Sequence, residues 1–191
     1  MRLIRAEVQN FRSVEDSGKF KLDEHITCLV GKNESGKTAL LTALYRLNPI
    51  FKNDSTKFDP QKDYPRRYLA DYEERHEGNP PSVVTTWWQL EPLEKEKLTA
   101  TLGADVMTSD EIQVSNGYDN TPRWIVSYNE EAIVKHFINS SELHDEEKTH
   151  VGVVKTIAAL KAKVATISEA SPRQAALSKR QDKGVGSLFW G

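Results

Sequence analysis

Residues 2–11 alternate, with Ile4, Ala6 and Val8 on one side and Arg5, Glu7 and Gln9 on the other. That period of two predicts a half-buried strand. Residues 18–22 alternate again, with Phe20 and Leu22 inward, and predict a second strand able to pair with the first as a hairpin. Residues 26–30 (I-T-C-L-V) form an almost unbroken β-branched and apolar run. Such a run predicts a strand buried on both faces, as in the interior of an α/β sheet. Leu40, Leu44 and Leu47, with Leu41 beside them, then recur at helical spacing, and Asn48-Pro49 stops the helix.

Residues 49–82 are polar and carry Pro49, Pro60, Pro65, Pro80 and Pro81. They read as a long surface excursion with one short helix near 66–75. Residues 83–90 (V-V-T-T-W-W-Q-L) predict a strand. Pro92 then opens a helix and Gly103 follows its end. Residues 111–115 and 124–128 predict two further strands around a turn at 116–122. From Glu130 the pattern is helical, and Val151, Val154, Ala158, Leu160, Val164 and Ile167 make an apolar stripe that Gly152 interrupts and Pro172 ends. Residues 173–191 are polar, basic and weakly patterned, which predicts disorder or a truncated element.

The chain has 191 residues, enough to bury a core without disulfide or metal staples. Its net charge of −2 argues against a wholly basic nucleic-acid sleeve. Cys28 is the one cysteine, so the chain holds no disulfide framework and no cysteine-based zinc site. No apolar run approaches the roughly 20 residues that span a bilayer. A cytoplasmic globular protein is the expectation.

The chemistry lies at residues 31–38, Gly31-Lys32-Asn33-Glu34-Ser35-Gly36-Lys37-Thr38, which satisfy G-x-x-x-x-G-K-[ST] at every defined position. Average composition would produce this in about one in 200 chains of this length. The predicted strand before it and helix after it make chance less probable still. Gly31 lets the backbone turn out of the strand. The N–H groups of residues 33–38 can point inward as an anion nest, reinforced by the helix dipole. Gly36 lets a phosphate approach the backbone, Lys37 supplies a cation for the β and γ oxygens, and Thr38 supplies a hydroxyl for Mg²⁺. The expected ligand is a nucleoside triphosphate with magnesium. Glu34 borders the site and is expected to point outward, away from phosphate. No D-x-x-G and no N-K-x-D occur, so the GTPase pattern is absent. Small nucleotide kinases usually begin at the loop's own strand, whereas here two strands precede it.

The opening strand with Gln9-Asn10-Phe11-Arg12-Ser13, together with residues 28–41, resembles the N-terminal lobe of RecF/SMC/Rad50-like ABC-type ATPases. It is most similar to the OLD-family (AAA-type) ATP-dependent endonucleases, in which a run like Asp63-Tyr64-Pro65-Arg66-Arg67 also follows the first helix. The resemblance covers residues 1–48 well, 49–128 fairly and the remainder weakly. It implies an α/β P-loop NTPase fold with a mixed sheet, an antiparallel β portion and a helical C-terminal extension. Residues 1–128 would form the ATPase lobe and 129–191 a helical extension with a flexible tail. It implies that Arg12 and Ser13 lie near the base or sugar of ATP, and that Gly31, Asn33, Glu34, Ser35, Gly36, Lys37 and Thr38 form the phosphate and Mg²⁺ site. Lys37 is the catalytic residue of that set. Arg66 or Arg67 would be a second cation near phosphate or DNA, or a solvated surface residue. The partners implied are ATP, DNA and a second head in a homodimer, in DNA repair or anti-phage defence.

The family's hydrolytic machinery has three further parts in a C-terminal lobe: an apolar strand ending in aspartate and glutamate, a Ser-Gly-Gly-type signature, and a histidine switch. Residues 124–130 are the nearest candidate for the first, but Ser127 interrupts the run and Glu130 lies past its end. No Ser-Gly-Gly occurs. The chain therefore reads as the first part of a larger protein or a truncated relative, with ATP hydrolysis expected only in a fuller or dimeric context. A small self-sufficient P-loop kinase and a non-catalytic DNA- or protein-binding module remain as alternatives.

Other features have plainer readings beside their functional ones. Trp87 and Trp88 point to opposite sides of their strand, for packing or for base stacking. His25, His76, His136, His144 and His150 show no tight metal spacing; His144 and His150 beside Asp145, Glu146 and Glu147 read as a metal site or, more plainly, as a solvated helix start. Arg173, Lys179, Arg180 and Lys183 read as a solvated end able to touch phosphate. Gln89 ends a strand, which is not enough to make it a magnesium-sensing glutamine.

Overall fold

The computed structural model describes residues 1–33, 35–50, 53, 56–141 and 154–166, with side chains to residue 162 in the last stretch. Six strands lie in one sheet: β1 (Arg2–Phe11), β2 (Val14–Asp16), β3 (Phe20–Lys21), β4 (Ser82–Gln89), β5 (Met107–Gly117) and β6 (Arg123–Tyr128). The order is β2-β1-β4-β5-β6, with β3 also on β1. β1 pairs antiparallel with β2, β3 and β4, and β4 pairs antiparallel with β5. The register sets Ala6 opposite Thr86, Val8 opposite Val84, and Thr86 opposite Val114. The expected alternation holds on β1, where Ala6 and Val8 are wholly buried. The long strands predicted at 2–11 and 83–90 form, and those predicted at 111–115 and 124–128 form with wider bounds for the first.

The chain divides into two compact units. The first holds residues 1–90 and 111–126; the second holds 91–110 and 127–191. In the first, α1 (Lys37–Leu47) packs on β1 and β4. Ala39 and Ala43, one turn apart, are its buried contacts, with Leu40, Leu44 and Leu47 flanking them. The small alanines let the helix come close to the sheet, while Leu41 and Tyr45 stay exposed. Phe11, Phe58, Tyr64, Val84 and Tyr118 complete this core.

Two expectations are corrected here. Residues 26–30 form no strand: they are irregular, with Ile26 75% and Val30 90% exposed. Local polar closures hold the segment's start as a loop. Asp23 Oδ1 accepts hydrogen bonds from the backbone N–H of His25 (2.9 Å) and Ile26 (3.3 Å), and Thr27 Oγ1 accepts from Asp23 N–H (2.8 Å). Those two backbone donors hold the Asp23 carboxyl below its usual pKa. Strand preference measures fit to a pleated, half-covered surface, and the described strands provide no neighbour for this run. The excursion at 49–82 is the second correction, because it does not lie wholly on the surface. It forms α2 (Pro60–Asp63), a 3₁₀ turn at Arg66–Tyr68 and α3 (Tyr72–His76), and it buries Phe58, Asp63 and Tyr64. Its aromatic rings meet edge-on: Phe11 with Phe58 at 5.7 Å, and Tyr64 with Tyr72 at 4.9 Å.

The second unit contains α4 (Pro92–Leu102), α5 (Glu130–Asn139) and α6 (Ile157–Thr166). Pro92 and Gly103 bound α4 as expected, and Asn129 caps α5 through Ala132 N–H. Val134, Ile138 and Leu160 form its core with Val154 and Ile157. Glu130 accepts a hydrogen bond from Ile157 N–H at 2.9 Å. The expectations at Gly152, Pro172, His144, His150 and the basic tail lie outside the described residues. Among the described residues no helix is long and apolar enough to cross a membrane.

Candidate functional site

The loop between residue 30 and α1 closes on its own lysine. Lys37 Nζ donates to the carbonyl oxygens of Gly31 (2.8 Å) and Lys32 (2.6 Å) and to Ser35 Oγ (3.3 Å). An ammonium has three protons to give, and all three find acceptors within one turn of chain. Ser35 N–H donates to Lys32 C=O at 3.3 Å, tightening the same turn. Gly36, which immediately precedes α1, has φ +87°, in the left-handed region that favours glycine. A Cβ there would stand 2.9 Å from Val14 Cγ2 and 3.3 Å from Ser13 Oγ. A Cβ at Gly31 would stand 2.7 Å from Ser35 Oγ. Both glycines of the motif thus meet a local demand, one for backbone angle and space, the other for space alone.

A cavity of about 560 Å³ opens beside this loop. Gly31, Ser35, Gly36 and Lys37 border it on one side, and residues 13–17 of the β1–β2 turn and β2 border it on the other. Val14, Leu29, Val30 and Leu40 add apolar surface. The size and the mix of apolar walls with a few polar groups suit a small organic ligand. Loop amides, an ammonium and a hydroxyl at a helix start fit the oxygens of a polyphosphate and a hard divalent cation.

The expected residues are only partly brought together. Ser13, Gly31, Ser35, Gly36 and Lys37 border the cavity. Asn33 and Thr38 are exposed, Asn33 in the loop and Thr38 in the first turn of α1. Glu34 lies outside the described residues. Arg12 does not border the cavity: its Nε donates to Asp63 Oδ1 at 3.2 Å, and its guanidinium lies over the Phe11 ring at 5.1 Å. Arg66 and Arg67 are exposed. Arg67 stands 3.8 Å from Glu15, which itself borders the cavity.

Several other candidates take structural roles. Trp87 is half-buried with two cations over its ring, Lys19 Nζ at 4.9 Å and Arg5 at 5.6 Å from the centroid. Trp88 Nε1 donates to Thr86 Oγ1 at 2.9 Å. The segment 124–130 carries no acid on its strand, and Glu130 binds the start of α6. Gln89 closes β4, paired in register with Arg2 and Glu111. His76 Nε2 meets Tyr64 Oη at 2.9 Å, which makes it part of the aromatic packing. Among the described residues no group of three His, Cys, Asp or Glu side chains could hold a metal ion.

Asp63 went unassigned in the sequence. It is 3% exposed and joins Arg12 to Arg46, whose Nη1 donates to Asp63 Oδ2 at 2.5 Å. Its place in the Asp63-Tyr64-Pro65 run was a signal of position without a signal of role, because both partners lie far away in sequence.

A family model described as AAA ATPase domain matches residues 1–180. No curated protein matches the chain. One similar solved chain comes from "Structural biochemistry of ATP-driven dimerization and DNA stimulated activation of SMC ATPases". It is 12% identical, with 94% of this chain and 99% of that chain covered, at a TM-score of 0.38. A likeness so distant carries no functional weight.

Proposed function

The chain belongs to the AAA ATPase domain family, and on that premise we propose that it binds ATP with Mg²⁺ at residues 31–38. The supporting observation is the Lys37 ammonium, drawn into the loop by the Gly31 and Lys32 carbonyls at the start of α1. Polyphosphate oxygens would compete for this cation, and the loop carbonyls release it toward them. Ser35 Oγ and the amides around Gly36 hold the phosphates from the loop side, and the first turn of α1 adds its dipole. Thr38 Oγ1 would hold Mg²⁺, which when bound neutralises charge on the phosphate oxygens. The lobe proposed for this work is residues 1–128, with 129–191 as its helical extension. Glu15 and Asp16 of β2 border the cavity, but among the described residues no apolar strand ends in the paired aspartate and glutamate expected to activate water, so the chain by itself binds nucleotide and turns it over poorly.

Calorimetric titration with ATP·Mg tests the reading. Wild-type protein should release heat with saturable binding, and Lys37→Ala should weaken it by about 100-fold, the loss of a charge-assisted contact to phosphate. Absence of heat from folded wild-type protein would remove the proposal. The wider setting is a dimer of heads acting in DNA repair or anti-phage defence, as the similarity of residues 1–48 to the OLD family implies. It predicts ATP-dependent self-association by sedimentation and salt-sensitive retention on duplex DNA.

A further inference from the structure

We propose that Asp63 is a positioning residue of the nucleotide site: one buried carboxylate that references both walls of the cavity to a single point. The inference rests on the ATP·Mg reading above and names a control within that site.

The two walls approach Asp63 from different parts of the chain. On one side is the β1–β2 turn. Arg12 N–H donates to the Asp63 carbonyl at 2.5 Å, and Arg12 Nε donates to its carboxylate at 3.2 Å. Arg12 takes φ +53°, a conformation that a non-glycine residue adopts only when its surroundings hold it there. The next two residues, Ser13 and Val14, border the cavity and lie against Gly36. On the other side is α1, whose first residue is Lys37 and whose last turn carries Arg46. Arg46 lies over the rings of Phe11 (5.4 Å) and Phe58 (5.7 Å) and donates to Lys57 C=O (3.2 Å) and Asp63 Oδ2 (2.5 Å). Asp59 N–H also donates to Asp63 Oδ2 at 3.3 Å. The carboxylate therefore sets the turn that bears Ser13 against the helix that bears Lys37. A ligand spanning the cavity feels that spacing, and errors near 1 Å in such a cradle are costly to binding.

A buried ion pair is a weak device for stability alone, since desolvation offsets much of its attraction. Its directional value is larger, because Arg12 Nε holds one carboxylate oxygen and Arg46 Nη1 the other, each by a charge-assisted hydrogen bond. Arg46 lies nine residues beyond Lys37, about 14 Å along the helix. It does not reach a phosphate held at the loop, so any influence on nucleotide affinity is indirect, and a double variant of Asp63 and Arg46 separates the route through Asp63 from the contacts of Arg46 with Phe11, Phe58 and Lys57.

The test is ATP·Mg calorimetry on the full chain and on Asp63→Asn, Arg46→Lys and the double variant. Each is checked for a cooperative thermal transition without nucleotide and titrated well below its midpoint. Removing a negative charge near an anion site would by electrostatics alone tighten binding. The proposal expects the opposite: Asp63→Asn and Arg46→Lys each weaken ATP·Mg by about tenfold, and the double variant is no weaker than the weaker single one. Folded variants that bind as tightly as wild type, or tighter, overturn it and leave the ATP reading intact. If Asp63→Asn does not fold, Arg46→Lys, which keeps its charge, decides alone by the same criterion. A wild-type chain that takes no ATP·Mg, indistinguishable from Lys37→Ala, overturns the nucleotide reading and this proposal with it.

Discussion

Residues 26–30 and β4 carry almost the same signal in sequence, yet one is an exposed loop and the other a central strand. Both are rich in β-branched and apolar side chains. β4 finds β1 on one side and β5 on the other, and buries Val83, Val84 and Thr86. Residues 26–30 find neither, and Val30 stands 90% exposed. A strand is a pairing as much as a pattern. An apolar run reports that a chain can be covered; neighbours decide whether it is.

The largest expected effect comes from putting a charge into each region. Val84→Asp buries an unpaired carboxylate in the core beside Phe11, Ala43 and Tyr118 and should abolish cooperative folding, read as loss of a thermal transition by circular dichroism. Val30→Asp should change stability by less than about 0.5 kcal/mol by the same measurement. A comparable loss at both positions would mean that residues 26–30 are covered in solution after all.

Truncating a ring sharpens the contrast on the covered side. Phe11 is wholly buried against Phe58 and under Arg46, and Phe11→Ala should cost about 3–5 kcal/mol by denaturant unfolding. Ile26→Ala, in the exposed run, should be close to neutral. Hydrogen exchange then reads the backbone directly. Amides of β4 should exchange only on global unfolding, and those of residues 28–30 at close to unprotected rates. Slow exchange at 28–30 would contradict the loop.

The smallest effect concerns His76 in the excursion that did become ordered. Burial lowers its pKa below the usual 6.5, and the Arg75 charge adds to this, against a smaller opposing pull from Glu73. The groups around it are Tyr64, Tyr72, Arg75 and Glu73. The folded state therefore binds fewer protons than the unfolded one near that pH. This contribution is complete above about pH 6.5 and declines as pH falls through it toward the lower folded value. His76→Gln keeps an acceptor for Tyr64 Oη without titrating. It should flatten the shallow pH slope of the melting temperature in that window, and an unchanged slope would assign it to other groups.

The local parts of the fold were legible because their causes are local. Pro92 and Gly103 bracket α4, Pro49 follows α1, and the alternation of β1 holds over residues 5–9, with a register shift between Leu3 and Arg5 before it and the out-of-phase burial of Phe11 after it. The loop's two glycines were marked as well, and a Cβ at 31 or 36 would crowd Ser35 Oγ or Val14 Cγ2; that Lys37 folds back onto the carbonyls before it was not legible. The excursion was illegible for the opposite reason. Phe58, Tyr64 and Tyr72 have no period that marks a common face, and they converge only because Phe11, Val84 and Tyr118 are already assembled around them.

The sequence by itself determined where α1 stops, where α4 starts and stops, and which residues offer phosphate-binding loop chemistry, since each depends on a few consecutive residues and their backbone angles. Tertiary structure alone decided that residues 26–30 stay unpaired, and that Arg12 turns to a carboxylate 51 positions away. It also decided that Asp63 is buried between two arginines. Hydrogen bonds and burial between distant segments depend on what the rest of the chain supplies, and no local pattern records that supply.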